Sequence, residues 1–406
     1  MSSAGAATGV ESRGRGSALE VLAVALRLGL TSFGGPIAHI GYFRREYVEH
    51  RRWLDEAAFA DLVALCQSLP GPASSELGIA IGTRRAGMRG GFAAWLGFTL
   101  PSAAALILLG LYAGSSDLSA AGWVHGLKLA AVAVVAQAVL GMARTLTPDW
   151  TRRGLALAAL AVALLIATPL TQLAVIAGGA LLGLLLIRQN EAPATPEEAS
   201  PISRRVGVAA LVLFFGLLVV LPLAARLASS QTLDLVGGIY SSGALVFGGG
   251  HVVLPLLHAT TVDPGFVGQD QFLAGYGAAQ AVPGPLFTFA AFLGTVSSVP
   301  PSGIGGGLLA LAAIFLPAFL LIWGTLPFWH DLRRSTSFRR ALSGTNAAVV
   351  GLLAAALYNP VWTSAVGSWI DVAIAAAAFA VLVVAHTPPI VVVVLCAVAG
   401  VLVGTS

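Results

Sequence analysis

The residues best placed to do chemistry in this chain are glycines and prolines that interrupt long apolar segments. A break inside a helix leaves backbone N–H groups without partners, and the helix that restarts after it carries partial positive charge at its first turn. Breaks that converge in space therefore predict an anion site. The alternative is that they are kinks for close helix packing. The four breaks are Phe33-Gly34-Gly35-Pro36, Pro70-Gly71-Pro72, Phe247-Gly248-Gly249-Gly250 and Pro283-Gly284-Pro285.

Polar side chains flank these breaks. Ser74 and Ser75 follow the second break and would add hydroxyl donors to an anion site. Gln67 and Gln280 precede matching breaks, and because a buried amide needs partners, each either lines the site or ties a broken segment to a neighbour. His251 follows the third break and is a candidate site residue, although a packing role is the commoner one for a lone histidine.

Ionisable residues in apolar segments are costly and usually functional. Arg27 is the first candidate for an anion-binding charge, with snorkelling to the cytoplasmic interface as the alternative. Lys128, the only lysine, stands where the second half of the chain has Asn346, and both are candidates for the same site beside a structural alternative. Glu76 is interpreted as a proton-coupled carboxylate or as the partner of Arg27, against a plain structural role.

Composition determines which elements must position these residues. Of 406 residues, 57% are apolar and only 10% are charged, which predicts an all-α integral membrane protein. Unbroken apolar stretches at 154–187 and 373–403 exclude the alternation of a membrane β-barrel. The net charge of +4 comes from loops beside apolar spans, so it indicates topology and no nucleic-acid partner. The sequence contains no nucleotide-binding, metalloprotease or heme motif, so we expect no enzyme activity, cofactor or metal.

About thirteen membrane segments are predicted, and a polar stretch at 188–205 divides them into two halves. We predict a disordered cytoplasmic tail at 1–18, a first repeat at 19–188, a cytoplasmic linker plus linking helix at 189–233, and a second repeat at 234–406. The lipid bilayer is the surrounding partner, and a homodimer is left open. The predicted segments are 19–43, 56–82, 91–114, 121–143, 154–168, 172–187, 206–228, 234–258, 270–297, 304–328, 341–358, 369–386 and 389–404.

The halves repeat in sequence. Besides the breaks, Gly126-x-Lys128-x-Ala130 matches Gly344-x-Asn346-x-Ala348 in the same order. Arginine-rich loops stay in the cytoplasm, and the arginines of both halves fall there only if the second repeat is inverted. Inverted repeats are typical of secondary transporters. Segments 19–43, 56–82, 234–258 and 270–297 are predicted as broken or re-entrant helices, with full spans as the alternative.

The motifs Phe33-Gly34-Gly35-Pro36 and Gln67-Ser68-Leu69-Pro70-Gly71-Pro72, with their counterparts in the second half, closely resemble the chromate ion transporter family over about residues 19 to 404. The resemblance implies a two-domain bacterial protein that exports chromate across the cytoplasmic membrane and confers chromate resistance. The arginine distribution predicts a cytoplasmic N-terminus and an external C-terminus. For a dianion that leaves the cell, the membrane potential is the expected driving force, with proton antiport as an addition. A transporter or channel for sulfate or another oxyanion is the alternative, and a membrane enzyme or assembly partner is a more distant one.

Overall fold

The protein is described from a computed structural model, over residues 16–33, 35–115, 122–166, 169–188, 200–247 and 252–403. Helices account for most of these residues, and none of them lies in a β-strand, as the composition predicts. The predicted tail falls mainly outside these ranges, but Ser17 is described and its side chain caps the first helix. Most of the predicted linker, residues 189–199, also lies outside them.

The first half contains seven α-helices in the described part of the chain. They are α1 (Ala18–Thr31), α2 (Gly35–Phe43), α3 (Glu56–Ser68), α4 (Ala73–Ser115), α5 (Gly122–Leu146), α6 (Trp150–Leu165) and α7 (Pro169–Leu186). A π-helical turn, Arg44–His50, continues α2.

The linking helix and the second half follow. They comprise α8 (Arg204–Leu227), α9 (Gln231–Ala244), α10 (Val253–Leu257), α11 (Gln269–Ala281), α12 (Phe289–Val296), α13 (Gly303–Thr325), α14 (Trp329–Arg334), α15 (Thr336–Ala356), α16 (Thr363–Ala365), α17 (Trp369–Val383) and α18 (Pro389–Val403). A π-helical turn, His258–Val262, continues α10, as one continues α2.

Five stretches of the described chain are long and apolar enough to cross a bilayer: Ala73–Ala113, Gly122–Leu146, Arg204–Leu227, Gly303–Arg334 and Thr336–Ala365. Other predicted segments correspond to shorter apolar helices, including Trp369–Val383 and Pro389–Leu402. At 1.5 Å per residue a 15-residue helix reaches only about 22 Å, less than the hydrocarbon core of about 30 Å. Length alone therefore identifies five spans of the predicted thirteen.

The helices end and restart at the predicted breaks. In the first half α1 ends at Thr31 and α2 begins at Gly35, and α3 ends at Ser68 before α4 begins at Ala73. In the second half the Pro-Gly-Pro break separates α11 from α12, with a short 3₁₀ turn between them. The third break falls between α9 and α10, where residues 248–251 lie outside the described ranges.

The predicted interruption between segments 56–82 and 91–114 is confirmed by a sharp reversal inside α4. Helical geometry is lost at Ala86 and Gly87, where α4 doubles back. Gly82 and Gly90 then meet backbone to backbone, as Gly294 and Gly306 do where α12 turns into α13. Glycines permit a reversal this tight because any side chain would separate the helices.

The two halves exchange their last helices. The central helix α5 packs against α17 and α18, and its counterpart α15 packs against α6 and α7. The matched glycines make these contacts: Gly126 meets the backbone of α18 at Cys396, and Gly344 meets the backbone of α7 at Gly179. Each of the two matched glycines thus lies on a helix that packs against the last two helices of the opposite half.

In each half the chain returns after its first break to the end at which it started. Arg85, at the turn in α4, pairs with Glu20 in the first turn of α1 (3.2 Å) and lies over the Trp53 ring, which follows α2 (5.1 Å). In the second half the Ser298 N–H donates to the Phe266 carbonyl (2.9 Å), and the hydroxyl of Thr232, at the start of α9, donates to the Pro300 carbonyl.

Candidate functional site

The site is built around two Pro-Gly-Pro loops, each bonded to the break of the opposite half. Gly71 has φ +140° and Gly284 has φ +100°, a region that favours glycine because it has no Cβ. The Gly71 N–H donates to the Val246 carbonyl (2.6 Å), and the Gly284 N–H donates to the Ser32 carbonyl (2.9 Å). Ser32 immediately precedes the first break, and Val246 immediately precedes Phe247 of the third. Each Pro-Gly-Pro loop is therefore bonded to the residue that precedes a break of the opposite half.

His39, on α2, links the residue before the first break to the first turn of α4. It is 1% exposed, its Nε2 lies 3.2 Å from the Ser32 carbonyl, and its Nδ1 lies 3.2 Å from Ser74 Oγ. A carbonyl only accepts, so Nε2 carries the hydrogen, and in a neutral ring Nδ1 accepts from the Ser74 hydroxyl. The ring also packs edge-on against Phe98 (5.2 Å between centroids). His39 therefore packs and hydrogen-bonds at the centre of the site.

The first turn of α4 presents buried polar groups to the Gly71 loop. Ser74, Ser75 and Glu76 are 3%, 1% and 0% exposed. A Cβ added at Gly71 would collide with Glu76 Oε1, so the carboxyl group packs directly against the break. Among the described residues, neither carboxyl oxygen of Glu76 has a hydrogen-bond partner, and the Ser75 hydroxyl has none either.

Hydroxyl groups also surround the Gly284 loop. Ser102 Oγ lies 2.9 Å from the position a Cβ would take on Gly284, and its hydroxyl donates to the Thr99 carbonyl (3.1 Å). Thr99 Oγ1 and Ser32 Oγ are buried and have no hydrogen-bond partner in the described part of the protein. Buried polar atoms are nearly always satisfied, so a cluster of unsatisfied ones marks a place for a ligand or water.

Gln280 belongs to the same region of the second half. It is half-buried, and its side chain is hydrogen-bonded to Tyr276 one turn earlier on α11. Its Nε2 has no partner among the residues described. Pro283 and Pro285 flank Gly284 in the loop, as Pro70 and Pro72 flank Gly71, and fix the backbone on both sides.

Among the predicted site residues, Arg27 and Gln67 are exposed and form no hydrogen bond or ion pair with the described residues of this cluster, and Lys128 and Asn346 also lie apart from it. On α1 the buried face consists of Val21, Val24 and Leu28 with their neighbours, and Arg27 lies outside it. Of the interpretations of Glu76, pairing with Arg27 is wrong, because neither carboxyl oxygen of Glu76 has a hydrogen-bond partner among the described residues, which include Arg27.

Lys128 forms an ion pair between the halves. Its Nζ lies 2.6 Å from Asp270 Oδ1, at the first turn of α11, and the lysine side chain is 12% exposed. One turn away on α5, His125 Nε2 lies 2.6 Å from Asp371 Oδ1. Asn346, which matches Lys128, is half-buried, and its Oδ1 has no partner among the described residues.

Some predicted site residues lie outside the described ranges: Gly34, Gly248, Gly249 and His251. Phe33 and Gly35, beside the first of them, are described and half-buried, and Gly35 has φ +77°.

Other polar residues at the site or between the halves were not predicted from the sequence. Ser32 and Thr99 are ordinary hydroxyl residues in apolar segments, and only their distance from a break or from the matched Pro101 would have marked them. Asp61 on α3 accepts hydrogen bonds from Trp329 Nε1 (3.0 Å) and Arg333 Nη1 (2.5 Å). No spacing in the sequence predicts that contact. The described residues include no cluster of three or more His, Cys, Asp or Glu that could hold a metal ion.

The arrangement favours binding of a small oxyanion. It combines hydroxyl donors with the first turn of α4, whose N–H groups have no partner in the preceding helical turn. Its walls are aromatic, with Phe43 and Phe98 packed edge to face (5.1 Å). A low-polarity surrounding strengthens each hydrogen bond to an anion.

Comparison with known proteins agrees with this description. The sequence profile described as "Chromate transporter" matches residues 19–184 and 233–401. A probable chromate transport protein of Synechococcus elongatus is 29% identical over 342 residues (82% of this chain, 81% of the relative). A chromate transport protein of Pseudomonas aeruginosa is 30% identical over 336 residues (81% and 78%), and an uncharacterised transporter of Methanocaldococcus jannaschii is 26% identical over 354 residues (85% of each). No solved structure matches significantly. With matches across most of its length, this membrane protein belongs to the chromate transporter family.

Proposed function

We propose that this protein exports chromate across the bacterial cytoplasmic membrane, through the site at which the four breaks meet. The observation that carries the proposal is the reciprocal pair of backbone hydrogen bonds, Gly71 to Val246 and Gly284 to Ser32. Together with the unsatisfied hydroxyls of Ser32, Ser75 and Thr99, they form a buried place for an oxyanion between two similar halves. The substrate is inferred from the relatives in Synechococcus elongatus and Pseudomonas aeruginosa, which are chromate transport proteins, the former a probable one.

The proposal includes an inverted repeat. The exchange of terminal helices between the halves is the packing expected of a pseudo-two-fold axis. At the end where the first half returns, Arg85 and Arg51 both lie over the Trp53 ring, whereas residues 259–269 at the corresponding end of the second half contain no base. Positive residues favour the cytoplasm, so the two ends belong on opposite sides of the membrane.

Re-entrant hairpins follow from the same contacts. The contacts of Arg85 with Glu20 and Trp53 bring the start of α1 and the chain after α2 to one end. Each arm is short: α3 has 13 residues, which spans about 20 Å. Half-helices of this length reach the middle of the bilayer, where transporters of this general plan bind their substrates. The N-terminus is then cytoplasmic and the C-terminus external.

The membrane potential is sufficient to drive export. A potential of about 100 mV, negative inside, contributes roughly 2.3 kcal/mol per charge, so a dianion gains about 4.6 kcal/mol on leaving the cell. Sulfate has the same charge and a similar tetrahedral shape, so it is the alternative substrate of the same site.

The test is chromate efflux from preloaded right-side-out vesicles at fixed membrane potential. Ser75→Ala removes an unsatisfied hydroxyl from the site and is expected to lower the efflux rate several-fold. The matched control is Ser68→Ala, because the Ser68 hydroxyl is bonded to the Ala64 carbonyl of its own helix (2.7 Å). Arg27→Ala is expected to keep efflux, since its side chain is exposed. Loss of efflux in that variant would support an anion-binding role for Arg27.

Two results would refute the proposal. Efflux no faster than from vesicles without the protein would remove the chromate assignment. Equal rates in Ser75→Ala and the wild type would move the site away from the first turn of α4. Sulfate efflux that exceeds chromate efflux and is blocked by chromate would favour the alternative substrate.

A further inference from the structure

Glu76 is an acid in a site that is otherwise suited to an anion. It is fully buried in the first turn of α4, and both its oxygens are without partners among the described residues. It packs against Gly71, whose loop is bonded to the opposite half. A buried ionised carboxylate is stable only when it is paired, and here the described residues supply no positive partner.

The groups that surround Glu76 determine how its negative charge could be stabilised. From α3 the thiol of Cys66 is near enough to interact with it electrostatically. From α2, His39 bonds to Ser74, two residues before Glu76. No lysine or arginine is positioned against the carboxyl group within the described ranges, and Arg27 lies on an exposed face.

We propose that the site binds its oxyanion together with one proton carried by Glu76. The inference rests on the proposed anion site. An anion and an ionised carboxylate in one apolar, water-poor place repel each other, so the anion is accepted only after the carboxylate takes a proton from solution and becomes a carboxylic acid. The neutral acid then also supplies an O–H donor beside the hydroxyl of Ser75.

Proton uptake by Glu76 exchanges one O–H bond for another. One O–H bond forms on the carboxylate and one O–H bond of a hydronium ion breaks, on the aqueous side to which the site is open, and a water molecule is left there. When the loaded site opens to the other side, the anion and the proton leave together. A dianion and its proton therefore cross together with a net charge of −1. This is proton symport, in which the proton moves in the same direction as the anion, whereas in proton antiport it moves in the opposite direction.

The experiment measures chromate binding to the purified full-length protein in detergent, as a function of pH. Linkage predicts that the apparent Kd of the wild type rises by about tenfold per pH unit above the pH at which the free carboxyl group ionises. Glu76→Gln removes the titrating group with little change in shape, and its apparent Kd is expected to be flat over the same range after correction for the titration of chromate itself. Above that pH, in weak buffer, the wild type should take up about one more proton per bound chromate than Glu76→Gln does.

A second measurement does not depend on a variant that folds. Infrared difference spectra of the wild type, recorded with and without chromate above the pH at which the free carboxyl group ionises, should gain a carboxylic-acid carbonyl band and lose a carboxylate band. Ser75→Ala is a useful companion, because it is expected to weaken chromate binding and to leave proton uptake per bound anion unchanged.

The outcomes separate this inference from the proposed function. If chromate binds the wild type and Glu76→Gln with the same pH profile and no carboxylic-acid band appears, proton coupling through Glu76 is refuted and the anion site stands. If the pH dependence persists in Glu76→Gln and disappears in His39→Gln, the proton belongs to His39 and the inference is equally refuted. If chromate binds neither protein, the anion site itself fails.

Discussion

Replacement of Gly284 by alanine tests whether the convergence of the loops is required for transport. A residue with a Cβ at φ +100° is strained by about 1–2 kcal/mol. The new methyl group would also lie 2.9 Å from Ser102 Oγ and 3.1 Å from the Phe98 carbonyl, and crowding of this kind costs typically about 1–3 kcal/mol. The loop can relieve both effects by moving, but then the hydrogen bond from the Gly284 N–H to Ser32 is lost.

The matched control is Gly87→Ala. Gly87 has φ +66° and no atom within 4 Å of an added Cβ, so this variant carries the backbone strain without the contact and lies at the turn in α4. Unfolding in mixed detergent micelles should show Gly284→Ala to be less stable than Gly87→Ala by about 1–3 kcal/mol. In proteoliposomes, chromate flux should fall by an order of magnitude or more only in Gly284→Ala. Equal stability and equal flux in the two variants would refute the reasoning. The Gly284 loop would then accommodate a methyl group in spite of the close contacts with Ser102 and Phe98.

Three further predictions concern the contacts around the site. In a double-mutant cycle, Lys128→Ala and Asp270→Ala should show a coupling free energy of about 0.5–1 kcal/mol, reduced by salt because Asp270 is half exposed, and additive effects would mean the pair contributes nothing. Asp61→Ala should lower the free energy of unfolding by about 1–3 kcal/mol, because it removes the shared acceptor of two donors between the halves, and an unchanged denaturation midpoint would contradict this. Burial alone would raise the pKa of Glu46, but hydrogen bonds from Arg51 and His50 outweigh it and hold the pKa below its usual value. The stabilisation from Glu46 is thus present at neutral pH and lost as the pH falls through that lowered value, so protease cleavage of residues 44–55 should rise in acid for the wild type and be independent of pH over this range in Glu46→Gln.

The positions of the breaks could be predicted from the sequence because glycine and proline act locally. Pro70-Gly71-Pro72 cannot continue a helix whatever surrounds it, and α3 ends just before it. The match of Gly126 with Gly344 was also readable, since both positions must lie against a neighbouring backbone. In both cases one residue type determines the local outcome.

Partners and faces were harder to predict. Asp270 lies 142 residues from Lys128, and no periodicity relates them. The exposure of Arg27 was not readable from the sequence, because its segment is apolar on nearly every side. The helix face with Val24 and Leu28 therefore differs too little in polarity from the face with Arg27 to show which one is buried. Ser32 and Thr99 owe their place at the site to the fold of both halves together.

The exchange of terminal helices has a consequence for the order in which the protein assembles. When α5 leaves the ribosome, the helices against which it packs, α17 and α18, have not been synthesised. The first half is therefore inserted into the membrane before the glycine face of α5 can pack against α17 and α18. The two halves are thus obligate partners in maturation: residues 1–199 expressed alone should be degraded, and co-expression with residues 200–406 should rescue both pieces. A stable, separately purified first half would show that the exchange is dispensable.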